Sequence, residues 1–214
     1  MSTLKGKICF AIRCIIQPLQ DNINKKRLKA DNFTIICSTC AGGIIYHRLG
    51  KQFLSPTVNL WFTDKDLQKI ARDLKHYMTT ELVFIEDYSV PYPVAMLDDV
   101  KIYFNHAKTA EEAQKIWNRR RTRINYDNVW LISCDRGLDY TDIENFGGLP
   151  AKGKVLFTAK EYPEFDYCLC FKEYEKRGEA TVGEYMSNHT PILDHFVFEK
   201  YFDYVKWLNT GKIK

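Results

Sequence analysis

Residues 33–46 read FTIICSTCAGGIIY, and the predicted architecture follows from this segment. An apolar run over residues 33–36 predicts a buried strand, and the apolar pattern that resumes at Ile44 predicts a helix directly after it. The turn between them is small, carries hydroxyl and thiol groups, and ends in two glycines. Because the first N–H groups of a helix are unpaired and lie at its positive end, we expect this turn to hold a ligand.

Strand and helix patterns alternate along the rest of the chain. Capping pairs that begin at Thr63 and Thr109 predict two helices, the first reaching Met78 and the second spanning residues 110–123. Further strands are predicted at residues 82–85, 94–97, 100–104, 128–133, 154–158 and 167–171. The pair joined by Asp98-Asp99 should form a hairpin. This order predicts an α/β sandwich around a largely parallel sheet, which the hairpin makes mixed.

The 214 residues are predicted to form a single α/β domain, because no interior linker is apparent. A basic amino-terminal segment of about residues 1–30 fits neither a signal peptide nor a spanning helix. As an amphipathic element it would either pack on the domain or contact an anionic membrane. Aromatic residues at about 192–210 predict a C-terminal helix that is either deeply docked or shared with a second subunit, which would make the protein a homo-oligomer.

Charge and cysteine usage exclude several classes of protein. A net charge of +4 is modest for a nucleic-acid binder, so no nucleic-acid partner is predicted. The seven cysteines are odd in number and lack zinc-finger spacing, which predicts reduced thiols in a cytoplasmic protein and no metal site. The common nucleotide-binding and hydrolase motifs are absent.

The candidate site follows from the predicted sheet. Ligands of open parallel sheets bind outside the carboxyl ends of the strands. Four predicted strands end in residues able to do chemistry, namely Ser38 to Cys40, Asn105-His106, Asp135-Arg136 and Lys160. If these strands are parallel neighbours, the residues lie along one edge.

Cys40 is the predicted nucleophile, with Ser38 as the second choice. The backbone N–H groups of Gly42 and Gly43 would bind an oxyanion or a phosphate beside it, and Thr39 belongs to the same ligand-binding turn. The dipole of the following helix is expected to lower the pKa of the Cys40 thiol. The alternative is a buried turn whose small residues only permit close packing.

His106 is the predicted general base, and Asp135 would fix its tautomer. His47 lies about two helical turns from Cys40, so it is assigned to ligand binding instead. His106 as a structural histidine is the alternative.

Arg136 and Lys160 are predicted to hold a phosphate of the donor or acceptor. The alternatives are a salt-bridged turn at Asp135-Arg136 and a surface pair of Lys160 with Glu161 that contributes little energy.

Several longer motifs carry a family resemblance, at residues 36–43, 46–50, 55–60, 123–128 and 154–158. Over about residues 25–175 the chain resembles a bacterial family of unknown function whose members are often labelled exopolysaccharide biosynthesis proteins. That family usually has two asparagines before the cysteine of the turn and a tryptophan after it, where this chain has Ser38-Thr39 and Ala41. The cysteine and both glycines match.

The resemblance implies a three-layer α/β/α fold and an association with genes for bacterial surface polysaccharide assembly. A looser similarity links the turn to capsule acyltransferases that bind coenzyme A. Three functions remain open: a transferase that acylates a sugar, a glycosyltransferase-like protein that uses a nucleotide sugar, and a non-catalytic scaffold of a polysaccharide assembly complex. The implied partner is a glycan or sugar nucleotide, and the implied location is the cytoplasm or the inner face of the membrane.

Overall fold

The computed structural model describes residues 4–180 and 197–213. Four strands form a parallel sheet: β1 (Thr34–Cys37), β5 (Val129–Cys134), β6 (Gly153–Thr158) and β7 (Cys168–Cys170). They pair in that order, and every pair is parallel. The carboxyl ends of β1, β5 and β6 therefore meet at one edge, as the sequence predicted.

Three other strands form a separate antiparallel sheet: β2 (Val83–Ile85), β3 (Val94–Leu97) and β4 (Val100–Tyr103). The predicted hairpin is confirmed, and Asp98 opens its two-residue turn with a φ of 56°. Its strands do not make the parallel sheet mixed, however. They pair with one another, and Tyr103 of β4 bridges to Trp61 instead of to β1.

The helices within the described residues are α1 (Leu4–Arg27), α2 (Ala41–Arg48), α3 (Asp64–Arg72), α4 (Leu74–Thr79), α5 (Ala110–Arg121), α6 (Tyr140–Gly147), α7 (Val197–Tyr201) and α8 (Tyr204–Thr210), with a 3₁₀ helix at Lys172–Arg177. The predicted caps are confirmed, since Thr63 and Thr109 each accept a hydrogen bond from the backbone N–H three residues later. No helix in this part of the chain is long and apolar enough to cross a bilayer.

Two predicted helices are interrupted. The helix that begins after Thr63 ends before Asp73, whose ψ of 63° is not helical and whose carboxylate caps α4. The C-terminal helix is divided in the same way, because Asp203 caps α8. Residues 181–196, which include the predicted start of that helix, lie outside the described residues.

Side chains of the parallel sheet alternate between two apolar cores. Ile35 and Cys37 face the core beneath α2, α7 and α8, whereas Ile36 faces the core formed with α3, α5, α6 and the second sheet. This arrangement is the predicted α/β/α sandwich. The C-terminal aromatic residues belong to the first core, where Trp207 packs edge-on against Trp130 with 4.7 Å between ring centroids.

Candidate active site

Cys40 immediately precedes α2 at the carboxyl end of β1, where its side chain is partly exposed. Its Sγ atom lies 4.0 Å from Nε2 of His106, at the outer limit of a hydrogen bond to sulfur. A cysteine beside a histidine is the pairing that supplies a nucleophile and its base. Such contacts are often long in unliganded sites and tighten when the substrate binds.

His106 reaches this position through the second sheet. Backbone hydrogen bonds of 3.1 Å and 2.9 Å join Trp61 to Tyr103, the last residue of β4. The chain then turns, and His106 emerges three residues later with an exposed ring. His47 is exposed on α2. The histidine that approaches Cys40 is His106.

The expected pKa of the Cys40 thiol was wrong in direction. Burial raises the pKa of this thiol, because the surroundings disfavour the charged thiolate. Cys40 is therefore a neutral thiol at neutral pH, and it needs a base to become a nucleophile.

The organising residue of this edge is Asp64, which the sequence analysis did not identify. Its side chain is fully buried in the first turn of α3. The Oδ1 atom accepts hydrogen bonds from Ser38 Oγ at 2.6 Å, Ser133 Oγ at 2.7 Å and the Cys134 N–H at 3.1 Å. The Oδ2 atom is 3.1 Å from Nη2 of Arg136. One carboxylate thus joins the ends of β1 and β5.

A sequence signal for Asp64 existed but pointed to another role. An acidic residue directly after the capping Thr63 is usual for the first turn of a helix, where it stabilises the helix dipole. Only the packing of α3 against β1 and β5 turns this carboxylate inward.

The arrangement favours Cys40 over Ser38 as the nucleophile. Ser38 is fully buried, and its hydroxyl is committed to Asp64. Arg136 is one quarter exposed, and its guanidinium lies 5.5 Å from the ring centroid of Trp61. Because Asp64 and Trp61 hold the guanidinium on two sides, Arg136 is a pre-oriented cation at the rim of the site.

Asp135 does not orient His106. Its two carboxylate oxygens accept the backbone N–H groups of Ala159 at 2.7 Å and of Ala180 at 2.6 Å. Burial raises the pKa of the Asp135 carboxyl, and these two donors oppose the rise. Asp135 therefore anchors the backbone behind the edge. Lys160 follows β6 at the same edge, with an exposed side chain.

The glycines of the turn have a packing role. A Cβ atom on Gly42 would lie 3.2 Å from Cys37 Cβ, and one on Gly43 would lie 2.7 Å from Asn59 Oδ1. Thr39 is buried too, and its hydroxyl accepts the N–H of Ala41 at 3.3 Å. These contacts support the close-packing interpretation of the turn, although they leave Cys40 itself at the surface.

The Cys37-x-x-Cys40 pair combines a buried thiol with a partly exposed one. Burial raises the pKa of Cys37 to about 11, although hydrogen bonds from Thr39 and Gly42 lower it. Cys37 is therefore a core thiol, and only Cys40 is placed to react. Among the side chains that the structure describes, in residues 15–180 and 198–213, no group of three or more His, Cys, Asp or Glu could hold a metal ion.

The fold and this edge define an α/β protein with a cysteine and a histidine at the carboxyl end of a parallel sheet. The chain belongs to the family described as domain of unknown function (DUF1919), whose model matches residues 11–209. It is also 34% identical over 188 residues to a Haemophilus influenzae protein named "Uncharacterized protein", covering 86% of this chain and 88% of that one. The predicted membership of a family of unknown function is confirmed. Neither description mentions polysaccharide, so that label stays a prediction.

Proposed function

We propose that this protein is a cysteine-dependent transferase that moves an acyl group to a sugar hydroxyl during bacterial surface polysaccharide assembly, at the cytoplasmic face of the membrane. The observation that carries the proposal is the 4.0 Å approach of Cys40 Sγ to His106 Nε2. Arg136 is linked to the same turn through Asp64, which also accepts the hydroxyl of Ser38. The polysaccharide context rests on the family resemblance of the sequence alone.

The raised pKa of Cys40 determines how the first half of the reaction would proceed. His106 accepts the thiol proton as Cys40 Sγ attacks the carbonyl carbon of an acyl thioester. The carbon–sulfur bond of the donor breaks, and the departing donor thiolate accepts from His106 the proton that Cys40 gave up. The acyl group is left on Cys40 as a thioester.

In the second half, His106 accepts a proton from a sugar hydroxyl while the sugar oxygen attacks this acyl carbon. The bond to Cys40 breaks, and the thiolate recovers the proton from His106, so the protein returns to its starting state with an ester as product.

Coenzyme A is an acyl donor whose chemistry fits these residues. Its phosphates would be held by Arg136, which Asp64 and Trp61 orient, and by the exposed Lys160. The donor supplies an activated acyl group when bound. The protein contributes the nucleophile, the base and the cations.

Mass spectrometry after incubation with acetyl-coenzyme A tests the proposal. An acetyl adduct should form on Cys40, and His106→Gln should slow its formation by about 10²–10⁴-fold, the usual contribution of a general base. Cys170→Ala is the matched control, because Cys170 is another partly exposed thiol and is the last residue of β7. Its removal should leave the adduct unchanged. The covalent mechanism is wrong if no adduct forms, or if the adduct survives Cys40→Ala.

The nucleotide-sugar alternative has one supporting observation, the oriented guanidinium of Arg136, which suits a diphosphate. Its proposed metal or ribose ligand, Asp135, already accepts two backbone N–H groups. Thermal stabilisation by nucleoside diphosphates with Mn²⁺, without any acyl adduct, would favour this alternative.

The scaffold alternative requires the aromatic C-terminal segment to pair with a second subunit. Phe198, Phe202 and Trp207 are buried in the protein's own first core, so a second subunit is not needed to cover them. This packing favours the transferase over a scaffold that pairs through α7 and α8.

A further inference from the structure

The first helix carries an apolar stripe that the described part of the domain leaves exposed. Ile15, Leu19 and Ile23 are 67%, 59% and 57% exposed. Their spacing of four residues places them on one face of α1. Exposed aliphatic side chains in such a row commonly mark an interaction surface.

The opposite face of α1 is held against the domain. Asn24 is buried there and donates a 3.1 Å hydrogen bond to the hydroxyl of Tyr204 in α8. Arg27 forms a salt bridge with Asp203, next to the same residue of α8. These contacts fix the rotation of the helix, so the apolar stripe is presented outward.

Basic residues adjoin the stripe. Lys25 and Lys26 are exposed in the last turn of α1, and Lys29 is exposed two residues beyond the helix. A rotation of about 100° per residue puts Lys26 on the same face as Ile15, whereas Lys25 lies nearer the domain, beside Gly50. The acidic Asp21 lies away from this face, 3.9 Å from Arg48 of the domain.

We propose that α1 docks this protein onto an anionic lipid bilayer. Ile15, Leu19 and Ile23 would enter the boundary between headgroups and acyl chains, while the neighbouring lysines contact the headgroups. The helix lies in the plane of the surface, because it is not apolar enough to span it. Charge complementarity selects lipid over a second copy of this chain, whose equally basic face would repel these lysines.

Co-sedimentation of the full-length protein with vesicles tests this docking. The protein should bind phosphatidylcholine vesicles that contain phosphatidylglycerol more tightly than vesicles of phosphatidylcholine alone. Added salt should weaken that binding.

Two sets of variants separate the contributions. Replacing Ile15, Leu19 and Ile23 together by Ser should lower the partition coefficient by at least ~100-fold. Replacing the three lysines by Gln should lower it by about 100-fold, and only for the anionic vesicles. Val83→Ser/Ile85→Ser is the matched control, because these exposed side chains lie on β2, and its binding should be unchanged. Circular dichroism verifies that each variant is folded.

The proposal is overturned if anionic vesicles leave the protein in the supernatant at low salt, or if the Ser variant of the stripe binds as well as the wild type. Should light scattering reveal a dimer that this variant converts to a monomer, with no vesicle binding, the stripe belongs to a second copy. Neither result depends on the acyl transfer chemistry, so docking and catalysis can fail separately.

Discussion

Ser38 Oγ donates a 2.6 Å hydrogen bond to Asp64 Oδ1, which ties the turn after β1 to the first turn of α3. A buried carboxylate is costly unless it is paired and hydrogen-bonded. Arg136 supplies the charge, and Ser38, Ser133 and the Cys134 N–H supply the hydrogen bonds. The position of Cys40, two residues after Ser38, therefore depends on Asp64.

Asp64→Ala is expected to lower the free energy of unfolding by about 3–5 kcal/mol, because it leaves Arg136 without its partner and several donors unpaired. Urea unfolding followed by circular dichroism measures this change. Asp31→Asn is the matched control, since Asp31 is exposed and pairs with Lys51 at the surface. It should leave the unfolding midpoint near that of the wild type. If Asp64→Ala lowers the free energy of unfolding by less than about 1 kcal/mol, as the loss of a surface ion pair does, Asp64 does not hold this edge together.

The Cys40 thiol should be less reactive at neutral pH than an ordinary free thiol. Burial raises its pKa, so thiolate forms only as the pH rises above the usual cysteine range. The rate of alkylation of Cys40 by iodoacetamide, followed by peptide mass spectrometry as a function of pH, gives the midpoint. Glutathione under the same conditions is the reference. A midpoint at or below that of glutathione would mean that the helix dipole dominates after all.

Asp135 should make stability depend on pH in the weakly acidic range. Since its carboxyl pKa is raised by folding, the folded protein holds this proton to higher pH than the unfolded chain does. Its contribution is fully present below the ordinary Asp pKa and is lost as the pH rises through the raised value. The free energy of unfolding, measured relative to Asp135→Asn, should therefore fall across that interval. A difference that grows with pH would mean that the two N–H donors lower the pKa more than burial raises it.

Gly43→Ala is expected to destabilise the protein by about 1–3 kcal/mol, as overpacking of a core does. The added Cβ would lie 2.7 Å from Asn59 Oδ1 and 3.0 Å from Val58 Cγ1. Gly148→Ala is the control, because its added Cβ would be 3.6 Å from the nearest atom. Thermal unfolding of both variants gives the comparison. Equal midpoints would show that the turn after β1 can adjust to a side chain.

Local features of the chain were predictable because neighbouring residues decide them. The caps at Thr63 and Thr109 each depend on a hydroxyl and an N–H group three residues apart. The helix break at Asp73 was missed, since the apolar periodicity continues across it. The sequence predicted that His106 would approach Cys40 because their strands lie in one parallel sheet. In the structure the approach arises instead from the pairing of Trp61 with Tyr103.

The alternation of strands and helices could be predicted from the chain, as could the residues at each strand end, because periodicity and capping are short-range properties. Long-range packing is what buries Asp64 at this edge, pairs Asp135 with backbone N–H groups instead of His106, and raises the pKa of the Cys40 thiol. Burial and hydrogen-bond partners depend on segments dozens of residues apart, and electrostatic energies in a protein follow from those surroundings.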